Sequence, residues 1–360
     1  MTTKSLKYKS FNYIGSKTKL LPFISESIQN YTQKELKDIT SFFDAFSGSG
    51  SVSYHLIQNG CKHIISNDIQ HYAYIISSIL TKQNIDLPKI INIVSSINHD
   101  NSILTNDTIT NDKDFIYHNY TEGGNLKRMY FTKLNGLKID RSRQKIQQLK
   151  NTNYINDTEY RLLLKLLLYA VTSISNTASV YGAYLKKYKT CALKPLMLDI
   201  ELLNQLPDHH IKHNFYNQDI NLLLDDIDSK NIEVCYIDSP YNTRSYNDNY
   251  HLLETISRYD YPQIKGKTGL RDDTSTKSNF CSKRNAKNEF NKILLKIKSK
   301  YIFISYSSES IVSKADMIDL LNINWTNIVC YEKEYQRFKS NTNCDQNKSV
   351  IEYLFAATLK

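Results

Sequence analysis

The 360 residues predict an α/β protein, an open sheet interrupted by a long, mostly helical insertion. Three observations predict it. Short apolar runs end repeatedly in or beside an acidic residue, at Asp44, Asp68, Asp219 and Asp238. The first of these runs leads through a glycine-rich turn into a helical pattern, and strand, glycine turn, helix is the opening of a nucleotide-type βαβ unit. The α/β rhythm then stops after Tyr74 and returns near residue 210. The expected domains are therefore 1–74 with 210–360, and an inserted 75–209.

Composition narrows the partners. The formal charge of +10 and a pI near 9.0 favour a polyanion, nucleic acid first. The basic excess is spread along the chain, so a charged face is expected rather than a disordered arm. Six scattered cysteines, with no C-x-x-C pair and no secretory leader ahead of them, read as reduced thiols of a cytoplasmic protein. No apolar run approaches the ~20 residues that cross a bilayer; Leu162 to Ile174 is broken by Lys165, Thr172 and Ser173. His209 and His213 have a zinc-like spacing beside His210, but no Glu or Cys set follows, and no metal is expected. No Pro-Cys dipeptide offers a cysteine nucleophile.

In chain order, Gly15-Ser16-Lys17 precedes a helix expected over Pro22 to Tyr31, placing backbone N–H groups and an ammonium where a carboxylate could dock. A strand over Ile39 to Phe43 runs into Asp44-Ala45-Phe46-Ser47-Gly48-Ser49-Gly50 and a helix to Asn59. No Gly-Lys-Ser/Thr follows, and Ser53 stands at the third glycine position of G-x-G-x-x-G, so neither phosphate fingerprint is complete. A strand over His63 to Ser66 brings Asp68 close to the ~20-residue spacing at which such folds hold a ribose. Residues 75–118 are polar with short helical stretches, and 119–190 form a basic helical region suited to recognising a partner. Within it, Leu162 to Val171 reads as a core helix.

Later, Phe215 to Asp219 reads as another strand ending in an acid, and Val234 to Ile237 is an apolar strand ending abruptly in Asp238-Ser239-Pro240-Tyr241. The proline fixes its own φ and pushes Ser239 towards an extended conformation, giving the backbone beside Asp238 a defined direction. Residues 260–290 read as a mobile basic loop and Tyr301 to Tyr306 as a strand. Strands near 327–331 and 350–355 flank a basic turn holding Gln336, Arg337, Lys339 and Asn341.

Tyr13-Ile14-Gly15-Ser16-Lys17, Asp44 through Gly50 and Asp238-Ser239-Pro240-Tyr241, in that order, resemble the adenine-N6 DNA methyltransferases of the Dam-like, D12 class. The resemblance extends to Arg128 through Thr132 with Asn135-Gly136, to Asn176 through Lys186, and to Tyr241 through Glu254. Ser239 stands where the family usually has a proline. The resemblance implies a Rossmann-like S-adenosylmethionine methyltransferase sheet with an inserted target-recognition domain. The cofactor would lie across the glycine turn, beside Gly15, Ser16 and Asp44. Tyr13 would pack near it, Lys17 would pair with its methionine carboxylate, and Phe46 with the backbone of Ser47, Gly48, Ser49 and Gly50 would line it. Asp68 would bind the ribose, Asp219 the adenine edge, and Asp238 would lie at the reacting end.

Catalysis would centre on Asp238, Ser239, Pro240 and Tyr241, acting on an adenine flipped out of double-stranded DNA. Arg128, Lys133, Lys138, Arg141, Arg143, Arg244, Tyr246 and Tyr250 are the expected DNA contacts, and a cognate restriction endonuclease is an expected partner. Three alternatives stay open: methylation of adenine in RNA, methylation of a side-chain amide, and a catalytically impaired DNA-binding relative.

Overall fold

A computed structural model describes residues 11, 15–100, 111–208, 210–243, 246–273, 277–336 and 349–360. Tyr13, His209, Arg244, Arg337, Lys339 and Asn341 lie outside the described residues. In order come α1 (Leu21–Thr32), β1 (Phe42–Asp44), α2 (Ser51–Gln58), β2 (His63–Asn67), α3 (His71–Ser77), α4 (Leu87–Asn98), α5 (Phe115–Tyr120), α6 (Lys133–Asn151) and α7 (Asp157–Ile174). They continue with β3 (Lys212–Tyr216), α8 (Ile220–Asp226), β4 (Val234–Ile237), α9 (Tyr246–Asn249), α10 (His251–Arg258), β5 (Ile264–Lys265), β6 (Leu270–Arg271), α11 (Ala286–Lys296), β7 (Tyr301–Ser307), α12 (Lys314–Asn324), β8 (Trp325–Gln336) and β9 (Ser349–Leu359). The chain forms two compact units. One comprises Met1–Gly15, Gln70–His210 and Tyr246–Ser275; the other comprises Ser16–Ile69, Ile211–Ser245 and Thr276–Lys360.

The second unit holds a seven-stranded sheet in the order β3-β2-β1-β4-β7-β9-β8. The first five strands are parallel neighbours, and β9 runs antiparallel to both β7 and β8. This is a Rossmann-like α/β sheet with an antiparallel edge. Inner strands are covered on both faces, which explains why β4, Val-Cys-Tyr-Ile, is apolar at every position and wholly buried. On one face Cys235, Ile237, Ile302, Ile304, Phe355 and Ala357 pack with residues of α11 and α12. On the other, Tyr236 stacks on Phe42, and Tyr31 of α1 meets Phe303 edge-on. The late strands extend well beyond the expected 327–331 and 350–355, because the antiparallel ladder of β8 and β9 runs from Trp325↔Leu359 to Gln336↔Ser349.

The first unit is helical around α7. Asn156 caps that helix in a reciprocal capping box with Glu159, and the apolar residues Leu162–Leu164, Leu166–Leu168 and Val171 are buried. Glu254 of α10, fully buried, accepts the backbone N–H groups of His71 at 3.1 Å and Tyr72 at 3.0 Å, satisfying the start of α3. The stretch expected as a mobile basic loop contains the antiparallel pair β5–β6. Arg128 donates to the carbonyls of Gly266 and Lys267 in its turn. Gly269 there has φ +77°, and a Cβ would sit 2.9 Å from Tyr120 and 3.0 Å from Arg128, so the close approach requires glycine.

Candidate active site

The strand order reverses direction between β1 and β4: the chain builds outward from β1 through β2 to β3, then returns to add β4 and β7 on the other side. Ligands of open α/β sheets bind outside the carboxyl ends of the strands at such a switch point. Both motifs singled out in the sequence, Asp44 to Gly50 and Asp238 to Tyr241, leave the sheet there.

The turn after β1 is held by its neighbours. Gly48 and Gly50 adopt positive φ of 48° and 70°, and Gly50 begins α2. The N–H of Gly48 donates to Asp68 Oδ2 at 2.9 Å, and the N–H of Ser47 to the Asn67 carbonyl at 2.8 Å. Asn67 donates in turn to the carbonyls of Ala45 and Gln218, tying the ends of β1, β2 and β3 together. Asp68 thus lies beside the glycine turn. Phe46 meets Phe280 edge-on at 5.3 Å. Asp219 is half-buried and caps α8 through the Asn221 N–H. Asp44 is buried and accepts from Ser53 Oγ at 2.7 Å. Burial, with Asp238 and Asp68 nearby, pushes its carboxyl up to about 7 against the opposing pull of the Ser53 hydrogen bond.

At the end of β4 the decisive contact is an ion pair. Lys17 Nζ lies 3.1 Å from Asp238 Oδ1, with the lysine side chain 5 % and the aspartate 17 % exposed. The same ammonium sits 5.5 Å from the centre of the Tyr241 ring. Burial alone would push the lysine down; Asp238, Glu352 and Tyr241 outweigh it and hold the ammonium above the usual lysine range. The Ile311 N–H donates to the Tyr241 carbonyl at 3.0 Å, anchoring the turn. Ser239 is buried, and its Oγ has no hydrogen-bond partner among the described residues. Lys17, expected at a cofactor carboxylate, is engaged here by Asp238. Nothing in the sequence motif signals that pairing, nor the nearness of Glu352, because both depend on how the sheet is ordered.

The expected DNA contacts divide. Lys133 is exposed and Lys138 half-buried, with its ammonium on the Asn98 carbonyl. Arg141 pairs with buried Asp114 at 3.0 Å. Arg128 and Arg143 do not fit the expectation of surface contacts: each is 2 % exposed, and their guanidinium groups are engaged by internal acceptors. Arg143 donates to the Ile256 and Ser257 carbonyls, Gln147 and Tyr160. Tyr250 is likewise buried, stacked against Tyr246 and tilted against Tyr72. A run of basic residues in the sequence does not reveal which of them the fold consumes. Among the described residues no group of His, Cys, Asp or Glu is arranged to hold a metal ion, and no helix is long and apolar enough to cross a membrane.

Comparison with known proteins agrees with the geometry. Residues 13–320 match the family model of the D12 class N6 adenine-specific DNA methyltransferases. The chain is 35% identical over 346 residues to the type II methyltransferase M.NlaIII of Neisseria lactamica, covering 95% of this chain and 98% of that one. It is 34% identical over 349 residues to M.CviAII of Paramecium bursaria Chlorella virus 1, covering 95% and 97%. M.FokI of Planomicrobium okeanokoites is 34% identical over 348 residues, covering 95% of this chain but 52% of that protein, so the chain spans about half of its length. The chain belongs to the D12 class of N6 adenine-specific DNA methyltransferases.

Proposed function

We propose that this protein transfers the methyl group of S-adenosylmethionine to N6 of an adenine flipped out of a specific sequence in double-stranded DNA, as the modification enzyme of a restriction-modification system. The observation that carries the reading is the placement of Asp238 at the switch-point end of β4, in contact with Lys17.

The residues present suit the cofactor. Asp68, whose Oδ2 holds the Gly48 N–H, is a carboxylate of the kind that accepts from ribose hydroxyls. Positive-φ glycines keep side chains out of the turn between β1 and α2. Phe46 offers an aromatic surface, and Asp219 stands at the adenine end. When bound, the cofactor supplies an electrophilic methyl carbon on a sulfonium. The ammonium of Lys17 and the carboxylate of Asp238 form a charge pair complementary to an amino-acid zwitterion, so a methionine carboxylate can share Lys17.

The amino nitrogen of adenine is a poor nucleophile because its lone pair is delocalised into the ring. Asp238 and a neighbouring backbone carbonyl accept its two hydrogens, which favours a more tetrahedral nitrogen with the lone pair aimed at the incoming methyl. Positive charge grows on N6 as it attacks, the negative Asp238 stabilises that growth, and the methylated nitrogen then loses one proton to solvent. Tyr241 stacks on the flipped base, where stacking contributes ~1–3 kcal/mol. No covalent enzyme intermediate is needed; in-line transfer depends on positioning. Ser239, in place of the family's usual proline, keeps a buried hydroxyl beside this site. Residues 75–209 serve as the DNA-recognition region, with Lys133 as the exposed basic contact.

The test is methyl transfer from labelled cofactor to duplex DNA, RNA and protein in parallel, with modified adenines mapped in the DNA. Label at N6 of adenine within one recurring duplex sequence is expected. Label in RNA or protein but not DNA overturns the reading.

A further inference from the structure

Lys17 and Asp238 have a third charged neighbour that no sequence motif marks. Glu352 lies on β9, directly opposite Ser307 of β7. The register fixes its side of the sheet. Ile237, Ile304 and Phe355 lie in one row across β4, β7 and β9 and face the core with α11 and α12. Side chains alternate along a strand, so Tyr236, Ser305, Ser307, Leu354 and Glu352 face the other way. That is the face covered by α1, where Tyr31 meets Phe303 and bonds Thr358 at 2.9 Å. Lys17, four residues before α1, meets Asp238 at 3.1 Å.

Glu352 is half-buried, and its carboxyl responds to both members of the pair. Burial and Asp238 raise it above the usual carboxylate range, while Lys17 pulls it back. Lys333 stands opposite Glu352 on β8 but is exposed, its ammonium over the Phe23 ring. Among the described residues, the cation that acts on Glu352 is therefore the buried Lys17.

We propose that Glu352 is a positioning residue for methyl transfer: it draws the Lys17 ammonium towards itself and so releases Asp238 to take the amino hydrogens of the adenine. The inference rests on the reading of Asp238 given above. A carboxylate tied to an ammonium is a weaker acceptor for an amino group, and a buried ammonium leaves one anion only for another. Glu352 is that second anion. An ammonium has three N–H donors, so holding Glu352 leaves Lys17 able to meet a cofactor carboxylate as well. One ammonium and two carboxylates also leave a net negative charge beside the nitrogen that becomes positive in the transfer. Neutralising Glu352 removes that surplus and leaves Lys17 on Asp238.

The test compares Glu352→Gln and Glu352→Asp with the wild type by single-turnover methylation of duplex DNA, by KM for S-adenosylmethionine and DNA, and by thermal melting. Glu352→Gln is expected to slow the transfer step roughly tenfold or more, the scale of one hydrogen bond to a charged group. Both KM values should stay within about twofold, since binding in the ground state is not what is lost. Glu352→Asp, which keeps the charge, should recover most of the rate. If Glu352→Gln melts below the assay temperature, Glu352→Thr, neutral and β-branched for a strand, takes its place with the same expectation. An undiminished transfer rate in the neutral variant, or no recovery with aspartate, overturns the assignment to Glu352 alone. A wild-type protein that methylates no adenine overturns the reading of Asp238, and this inference with it.

Discussion

The ammonium of Lys17 stands 3.1 Å from Asp238 Oδ1, a buried lysine paired with a carboxylate that is 17 % exposed. Asp238→Ala therefore has two consequences. Methylation should be abolished while duplex binding persists, and the lysine, left with Glu352 alone, should lower stability by about 1–3 kcal/mol. The double variant Lys17→Met with Asp238→Ala should recover melting temperature without activity. Methyl incorporation and thermal melting measured side by side check both, and near-normal turnover in Asp238→Ala would refute the role.

Asp68 joins the glycine turn to the end of β2. Asp68→Ala removes both the acceptor for the Gly48 N–H and the carboxylate proposed to bind the cofactor's ribose. Affinity for S-adenosylmethionine should fall roughly 10- to 100-fold, as expected for one or two charge-assisted hydrogen bonds. Calorimetric titration of the two proteins decides it, and equal affinities would remove Asp68 from the site.

Asp44 sets a pH dependence. Its folded-state value of about 7 lies above that of an unfolded aspartate. The stability linked to its proton is thus fully present below about 4 and is lost as pH rises to 7. Asp44→Asn, which mimics the protonated form and still accepts from Ser53, should be more stable than the wild type at pH 8. The gain is on the order of 1–4 kcal/mol and should shrink towards pH 5. Melting curves across that range give the sign directly.

Arg143 and Lys133 should behave oppositely. Arg143→Met leaves the Ile256 and Ser257 carbonyls without their donor and should cost about 2–4 kcal/mol of stability. It should leave the salt dependence of DNA binding unchanged. Lys133→Ala should leave the melting temperature within about 1 °C of wild type and reduce the slope of log affinity against log salt by about one. Binding titrations at several salt concentrations separate the two.

The sequence made the carboxyl ends of β1, β2 and β4 legible because each apolar run breaks at an acid, and the glycines after β1 announce a turn. The helix over Leu162 to Val171 was legible from a long apolar run interrupted by Lys165. The pairing of Lys17 with Asp238 was not, because it depends on α1 covering one particular face of the sheet. Glu352 was hidden further, since its side is fixed only by the register of β9 against β7. Arg128 and Arg143 show the limit of charge as a guide: a guanidinium that saturates carbonyls inside a helical unit looks, in sequence, like one that meets phosphate. The hairpin β5–β6 escaped notice because its two-residue strands are too short to show a period.

Glu254 accepts from the first N–H groups of α3 across a long stretch of chain. A recognition module is often imagined as a cassette that can be lifted from one methyltransferase and placed in another. Here a graft that takes only 75–209 would cut α3 within its own length and part Arg128 from the turn that it closes. A transplant of this helical unit would have to carry residues 70–210 and 246–275 together, two separated pieces of gene rather than one.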